Sequence, residues 1–168
     1  GSIPEGWEPT SLRTPSFAHK SRPMDIAVRF ARPEELDDCI EIRRDVFVVG
    51  QNVPEALEVD GLDDSCLHVI ARMGQHPVGT ARLRITTDGH AKVERVAVRE
   101  EARSQRIGHR LMDALEEEAR RLGHQEVVLS AQVAVVGFYR SRGYAEEGPV
   151  YLDADIEHQT MRLKWPKP

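Results

Sequence analysis

Val93-Glu94-Arg95-Val96-Ala97-Val98, the basic run Arg99 to Arg106, and Ile107-Gly108-His109-Arg110-Leu111 follow one another without interruption. The valines at 93, 96 and 98 read as a strand, because β-branched side chains suit a pleated surface. From Ile107 the period changes. Ile107, Leu111, Leu115, Ala119 and Leu122 form one apolar stripe opposite charged residues, and Gly123 supplies a stop. A strand that enters a helix through a basic loop is a physical recipe for holding a phosphate. The first-turn N–H groups lack intrahelical acceptors, and the helix dipole is positive there. Arg103 and Arg106 add charge, and Gly108 leaves room for close approach. The spacing fits neither a Walker loop nor a GxGxxG dinucleotide loop, and the alternative is an ordinary strand–helix connection.

Outward from this junction the chain alternates short strands with helices. Ile26 to Phe30 alternates as a strand, and Pro33 opens a helix with Leu36, Cys39, Ile40 and Phe47 on one face. Residues 48–66 carry acids and turn formers and read as a long loop over a site. Leu67 to Arg72 and Val78 to Thr86 read as strands, and Asp88-Gly89 as a hairpin turn into Ala91 to Val98. Val127 to Ala131 is a short buried strand, Val133 to Arg142 a second helix stopped by Gly143, and Tyr144 to Leu163 two more strands. This order predicts an α/β (α+β) domain built on a single, mostly antiparallel six- to seven-stranded sheet flanked by helices. Residues 1–23 hold four of the ten prolines and no apolar period, so they read as an extension to a domain at 24–168. Gly1-Ser2 reads as a remnant of cloning and Met24 as the natural start.

Composition narrows the class. At 168 residues the chain is long enough for one core, and no run of ~18 apolar residues is present to span a bilayer. No apolar leader is visible, and Cys39 and Cys66 form neither a disulfide framework nor a CxxC pair, so a cytoplasmic setting is expected. The net charge of −5 argues against nucleic acid as a partner. Within that average, Arg99, Arg103, Arg106 and Arg110 form a local cationic focus suited to a compact anion, or else a solvated face. The seven histidines include no HxxxH pair, so no metal is expected. Cys39 reads as core packing. Glu55, Glu58, Asp60, Asp63 and Asp64 read as a solvated loop, with attraction for a cationic acceptor as the alternative.

The run Val93 to Val98 followed by Arg103-Ser104-Gln105-Arg106-Ile107-Gly108 resembles the acyl-CoA pyrophosphate motif R/Q-x-x-G-x-G/A of the GNAT superfamily of N-acetyltransferases. Phe138-Tyr139-Arg140-Ser141-Arg142-Gly143-Tyr144 resembles that family's F-Y-x-x-x-G-F signature. Phe47-Val48-Val49-Gly50-Gln51-Asn52-Val53-Pro54 is similar to the F-V-x-E-Q-x-V-P of the bacterial ElaA-like branch. Ser130-Ala131-Gln132 and Ile156-Glu157-His158-Gln159-Thr160-Met161 follow the same branch pattern. The likeness spans Ile26 to Leu163 in matching order. In two places the chain departs: Arg106 stands for the first glycine of the pyrophosphate motif and Gly50 for the branch glutamate.

The resemblance implies direct acetyl transfer from acetyl-CoA, a cosubstrate, to the amine of a small molecule or peptide. It implies that Val96, Ala97, Val98, Arg103, Ser104, Gln105, Arg106, Ile107, Gly108, His109, Tyr139 and Arg142 hold the donor. Phe47, Gln51, Gln132 and His158 would line the acceptor pocket. Glu94 is the expected general base, and Tyr139 the expected general acid for the departing thiolate. A catalytically impaired acyl-CoA sensor or interaction module is the alternative function, motivated by Arg106 and Gly50. The open edges of such a sheet permit a homodimer.

Overall fold

The computed structural model describes residues 25–166. The readings of residues 1–23 as an extension and of Met24 as the start lie outside them. Seven strands make one sheet: β1 (Ile26–Phe30), β2 (Leu67–Met73), β3 (His76–Ile85), β4 (Ala91–Val98), β5 (Glu126–Gln132), β6 (Ala145–Asp153) and β7 (Ile156–Lys164). Their spatial order is β1-β2-β3-β4-β5-β7-β6. Every neighbouring pair is antiparallel except β4–β5, which is parallel. Four helices join them: α1 (Leu36–Arg43), α2 (Glu55–Glu58), α3 (Ile107–Arg121) and α4 (Val136–Ser141).

Period-two alternation in the strands divides the core between two layers. Val69, Ala71, Val93 and Leu129 point to the face covered by α3, where Ile107, Leu111, Leu115 and Ala119 are buried as the helical spacing predicts. Ile70 and Ala97 point the other way and meet Cys39, Ile42 and Val46 of the α1 region. Cys39 is therefore packing, and Ile42 rather than Ile40 completes the stripe. Leu122, expected to extend the α3 stripe, lies just past the last turn and is exposed. At Gly79 of β3, an added Cβ would stand 3.0 Å from Ile107 Cγ2 and 3.3 Å from Ala71 Cβ, so this glycine lets α3 lie close to the sheet.

The segment 48–66, expected to be one loop, is more ordered than that. No glycine or proline interrupts the helix before Gly50, and α1 continues through wider π turns over Arg44–Val49. After Pro54 comes α2. The 133–142 helix is likewise divided into a tight turn at Val133–Val135 and then α4. At the far edge, β6 is exposed along its whole length, and its pairing with β7 shifts between Glu147 and Tyr151, around Gly148-Pro149.

Gly79→Ala should push α3 away from β3 and lower stability by about 1–3 kcal/mol. Chemical denaturation followed by circular dichroism would read that loss, and an unchanged midpoint would contradict the close approach.

Candidate functional site

The parallel pair β4–β5 is joined only at Lys92–Val128 and Val93–Leu129. Beyond those residues β4 turns away, and the cause is visible in its other ladder. Thr80 pairs with Ala97 and Arg82 with Glu94, so the one residue between them on β3 opposes two on β4. This is a β-bulge, and its residue Arg95 has φ of 57°. A bulge strengthens local twist and re-aims the strand. Arg99 N–H donates to Val78 O at 2.8 Å, so Arg99 and Ala97 face β3. Alternation then turns the N–H and C=O groups of Val96 and Val98 toward β5, which has already diverged.

The wedge opens into a cleft of about 560 Å³. Its walls gather ten of the residues expected at the site: Glu94, Val96, Ala97, Val98, Arg103 and Tyr139, together with Phe47, Gln51, Gln132 and His158. Ser104, Gln105, Arg106, Ile107, Gly108, His109 and Arg142 do not line it. Lys92, Arg95 and Asp153 do; Lys92 and Asp153 lie outside every motif, and Arg95 lies within the Val93 to Val98 run but has no expected role.

One end of the cleft is cationic. Arg106 is the N-cap of α3, with φ 61° and no capping side chain, so the first-turn N–H groups remain open to a ligand. Ser104 is also left-handed, at φ 70°. Arg103 donates to Val98 O at 3.2 Å, and neither Arg103 nor Arg106 has an acidic partner among the described residues. The side chain of Ile107 is in the core, so only its backbone could serve a ligand. Gly108 has a role other than the close ligand approach expected of it: an added Cβ would meet Phe138 Cζ at 3.2 Å, which makes it the seat of α4 on α3. Arg142 reinforces that seat. It pairs with Asp113 at 2.6 Å and Glu116 at 2.8 Å and donates to His109 Nδ1 at 2.9 Å, leaving little of its guanidinium for a donor molecule. Burial and the nearby Arg106 and Arg142 charges lower the His109 pKa, consistent with a neutral ring accepting at Nδ1.

Tyr139 stands in the middle of the cleft, 6% exposed, with its ring edge-on to Phe138 and Tyr144. Its hydroxyl has no hydrogen-bond partner among the described residues. Burial raises its pKa well above that of an ordinary phenol, so the hydroxyl stays protonated and able to donate. At the other end, Gln51 and Gln132 exchange amide hydrogen bonds of 2.7 and 3.3 Å across the cleft. They tie the π-turn segment to β5.

The acids of the 55–64 segment are not the solvated loop expected from composition. Arg43 and Arg82 are both fully buried. Arg43 pairs with Glu58 at 2.5 Å and Asp63 at 2.6 Å. Arg82 pairs with Asp60 at 2.6 Å, Asp63 at 2.9 Å and Glu94 at 2.8 Å. Arg95, aimed outward by the bulge, donates to the carbonyls of Leu57 and Glu58 at the end of α2. Of the five acids, Glu58 and Asp63 are buried, whereas Glu55, Asp60 and Asp64 are exposed, with Asp60 held by Arg82 and Glu55 by Arg44.

This network also sets the chemistry of Glu94, whose second oxygen accepts from Arg84 at 2.5 Å. Burial by itself would raise the Glu94 pKa, but the hydrogen bonds from Arg82 and Arg84 outweigh it and lower the carboxyl below its ordinary value. A carboxylate held this way is a weak proton acceptor, which works against the base expected there. Among the described residues no group of three or more His, Cys, Asp or Glu side chains is arranged to hold a metal ion. Among the described residues no helix is long and apolar enough to cross a membrane.

The family model of the acetyltransferase (GNAT) domain matches residues 32–165. The chain is 38% identical over 136 residues to the uncharacterised N-acetyltransferase YjcF of Bacillus subtilis, covering 80% of this chain and 96% of that protein. An acyl-CoA N-acyltransferase from Pseudomonas aeruginosa has a similar structure, with a TM-score of 0.72 and 32% identity over 83% of this chain and 99% of that one. Escherichia coli ElaA is similar too, with a TM-score of 0.73 and 27% identity over 84% of this chain and 99% of that one.

Two measurements test the site's electrostatics and backbone. The carboxyl pKa values of Asp60, Asp63 and Glu94 are lowered, so their contribution to stability is present above the ordinary carboxylate range and lost as pH falls through about 4. Burial lowers the pKa of His68, which adds a loss beginning near pH 6.5, where an unfolded imidazole gains a proton that the folded one resists. The melting temperature should therefore stay level from about pH 8 to 7, decline below about 6.5 and fall steeply below about 4.5. A level profile down to pH 3 would contradict the network. Arg106→Gly should raise stability by up to about 1 kcal/mol by relieving the left-handed backbone, and a lower melting temperature would argue against that strain.

Proposed function

Given that the chain belongs to the GNAT acetyltransferase family, we propose that it moves an acetyl group directly from acetyl-CoA to the amine of a small molecule or peptide. The observation that carries this reading is the divergence of β4 from β5, which leaves strand backbone unpaired opposite a buried tyrosine hydroxyl. The chain's own groups fit such a donor along the cleft and, beyond Arg103, at the α3 N-terminus. Arg103, Arg106 and the N–H groups of Ile107, Gly108 and His109 suit the pyrophosphate, with Ser104 and Gln105 in the turn between them. The Val96 and Val98 backbone suits the amides of the pantetheine arm. Arg142 serves indirectly by fixing α4 on α3.

Transfer requires three services. The acceptor must lose a proton, since an alkyl ammonium with a pKa of ~10.4 resists deprotonation near neutral pH by about 4 kcal/mol. The oxygen that gains charge when the amine attacks the thioester needs a fixed N–H, and the cleft-facing backbone of Val96 to Val98 supplies one. The departing thiolate needs a proton donor, and Tyr139, kept neutral by burial, takes that role. Phe47, Gln51, Gln132 and His158 line the acceptor end.

Calorimetry with acetyl-CoA and with free CoA should detect binding of both, and no heat at millimolar concentration would overturn the proposal. Thiol release with a panel of primary amines should fall about 100-fold in Tyr139→Phe, with acetyl-CoA affinity changed less than twofold. Binding without release on a broad panel would favour a sensor instead.

A further inference from the structure

We infer that His158 is the general base that takes the proton from the acceptor ammonium at Nε2. This rests on the acetyl-transfer reading above and replaces the base expected at Glu94. Three observations meet at this ring. His158 lies on β7 directly opposite Gln132 of β5 and lines the end of the cleft that holds the Gln51–Gln132 bridge. Its Nδ1 is 2.7 Å from Ile156 O. A carbonyl oxygen can only accept, so Nδ1 carries the proton, and in the neutral ring Nε2 is left with its lone pair. Nε2 has no partner among the described residues. The ring is also held in place, stacked on Tyr151 with centroids 6.0 Å apart and planes 26° apart, and the Tyr151 hydroxyl in turn contacts Ser130 Oγ.

The other ionisable groups around this end are less suited. From β4, Glu94 is bound by Arg82 and Arg84, and Arg95 is bound to the end of α2. From α2, Glu58 is occupied by Arg43. Lys92 is a cation. Asp153 of β6 has no ionic partner among the described residues, but it lies on the fully exposed strand and is solvated. An imidazole nitrogen is intrinsically a stronger base than a solvated carboxylate.

The proton and electron accounting closes. The ammonium gives one proton to Nε2 and becomes a neutral amine, making the ring an imidazolium with N–H at both positions. The amine lone pair forms the new C–N bond, and the carbonyl π pair moves onto oxygen. As that oxygen pair returns, the C–S bond breaks and sulfur keeps its electrons. The thiolate takes the Tyr139 proton, the second ammonium proton restores the phenol, and the imidazolium releases its proton to solvent. The products are the amide, CoA thiol and one proton.

The test combines pH–rate profiles with nitrogen-15 spectra of the full chain, using phenethylamine, lysine and spermidine as acceptor probes. In the wild type, kcat/KM should rise with pH along a limb that reports the base. His158→Gln should lose about 100-fold or more at pH 7, lose that limb, and recover as rising pH deprotonates the amine itself. Acetyl-CoA affinity by calorimetry should stay within twofold, which separates a lost base from a misfolded protein. The spectra, assigned with His158→Gln, should show Nδ1 protonated and Nε2 bare at pH 8. Turnover by His158→Gln within twofold of wild type, a loss found instead in Asp153→Asn, or a proton on Nε2 would overturn the assignment. Failure of the wild type to bind acetyl-CoA would instead overturn the acetyl-transfer reading itself. If no probe turns over, the Nε2 spectrum alone decides the assignment.

Discussion

The whole site depends on a strand that stops pairing. After Val93 the ladder between β4 and β5 ends, and a two-for-one bulge on the β3 side turns β4 outward. Backbone groups that would be satisfied in a continuous sheet are exposed to a cleft instead. Such groups are costly to leave unpaired unless water or a ligand reaches them, so this break in the sheet must remain open to one or the other. Everything else at the site is arranged along it: a helix N-terminus at one end, a buried phenol at the middle, and at the other an imidazole whose Nδ1 meets a backbone carbonyl.

Keeping the break open places demands on the rest of the fold. Two side chains that look misplaced, Arg43 on a helix and Arg82 in a central strand, are fully buried and gather Glu58, Asp60, Asp63 and Glu94. Buried ion pairs of this kind contribute little net stability compared with apolar packing, but removing one partner is expensive. Their effect here is positional. They fix α2 and the following turn beside the bulge, where Arg95 completes the hold by capping α2. On the far side Arg142 and the Gly108–Phe138 contact do the same for α4 and so for Tyr139.

What the sequence makes legible follows from range. The strand β4, the helix α3 and the hairpins are written in local periods, and the motif order carries the family and most of the cleft-lining residues. The pairing of acids at 58–63 with Arg43 and Arg82 joins residues 15 to 22 positions apart, and no local pattern announces it. A hint was available, because an arginine between Ala81 and Leu83 in a buried strand needs acids from somewhere. The bulge leaves no mark either: Arg95 is not a residue type that advertises a positive φ. The environment of Glu94 is hidden for the same reason, since its two arginine partners lie on the neighbouring strand. Gly108 signals a close approach, and on its side-chain face the approaching group is Phe138.

The short β4–β5 ladder also bears on how the molecule responds to whatever fills the cleft. The sheet is two blocks, β1 to β4 and β5 to β7, joined through two residue pairs and sharing helices across the gap. An occupant that bonds to Val96 and Val98 would act as a missing piece of strand and bridge the two blocks. Its binding energy would then be folding energy as well, adding about 2.7 kcal/mol at a hundred times its dissociation constant. The protein is in this sense an incomplete β-sheet, and an occupant of the cleft would be a removable structural part.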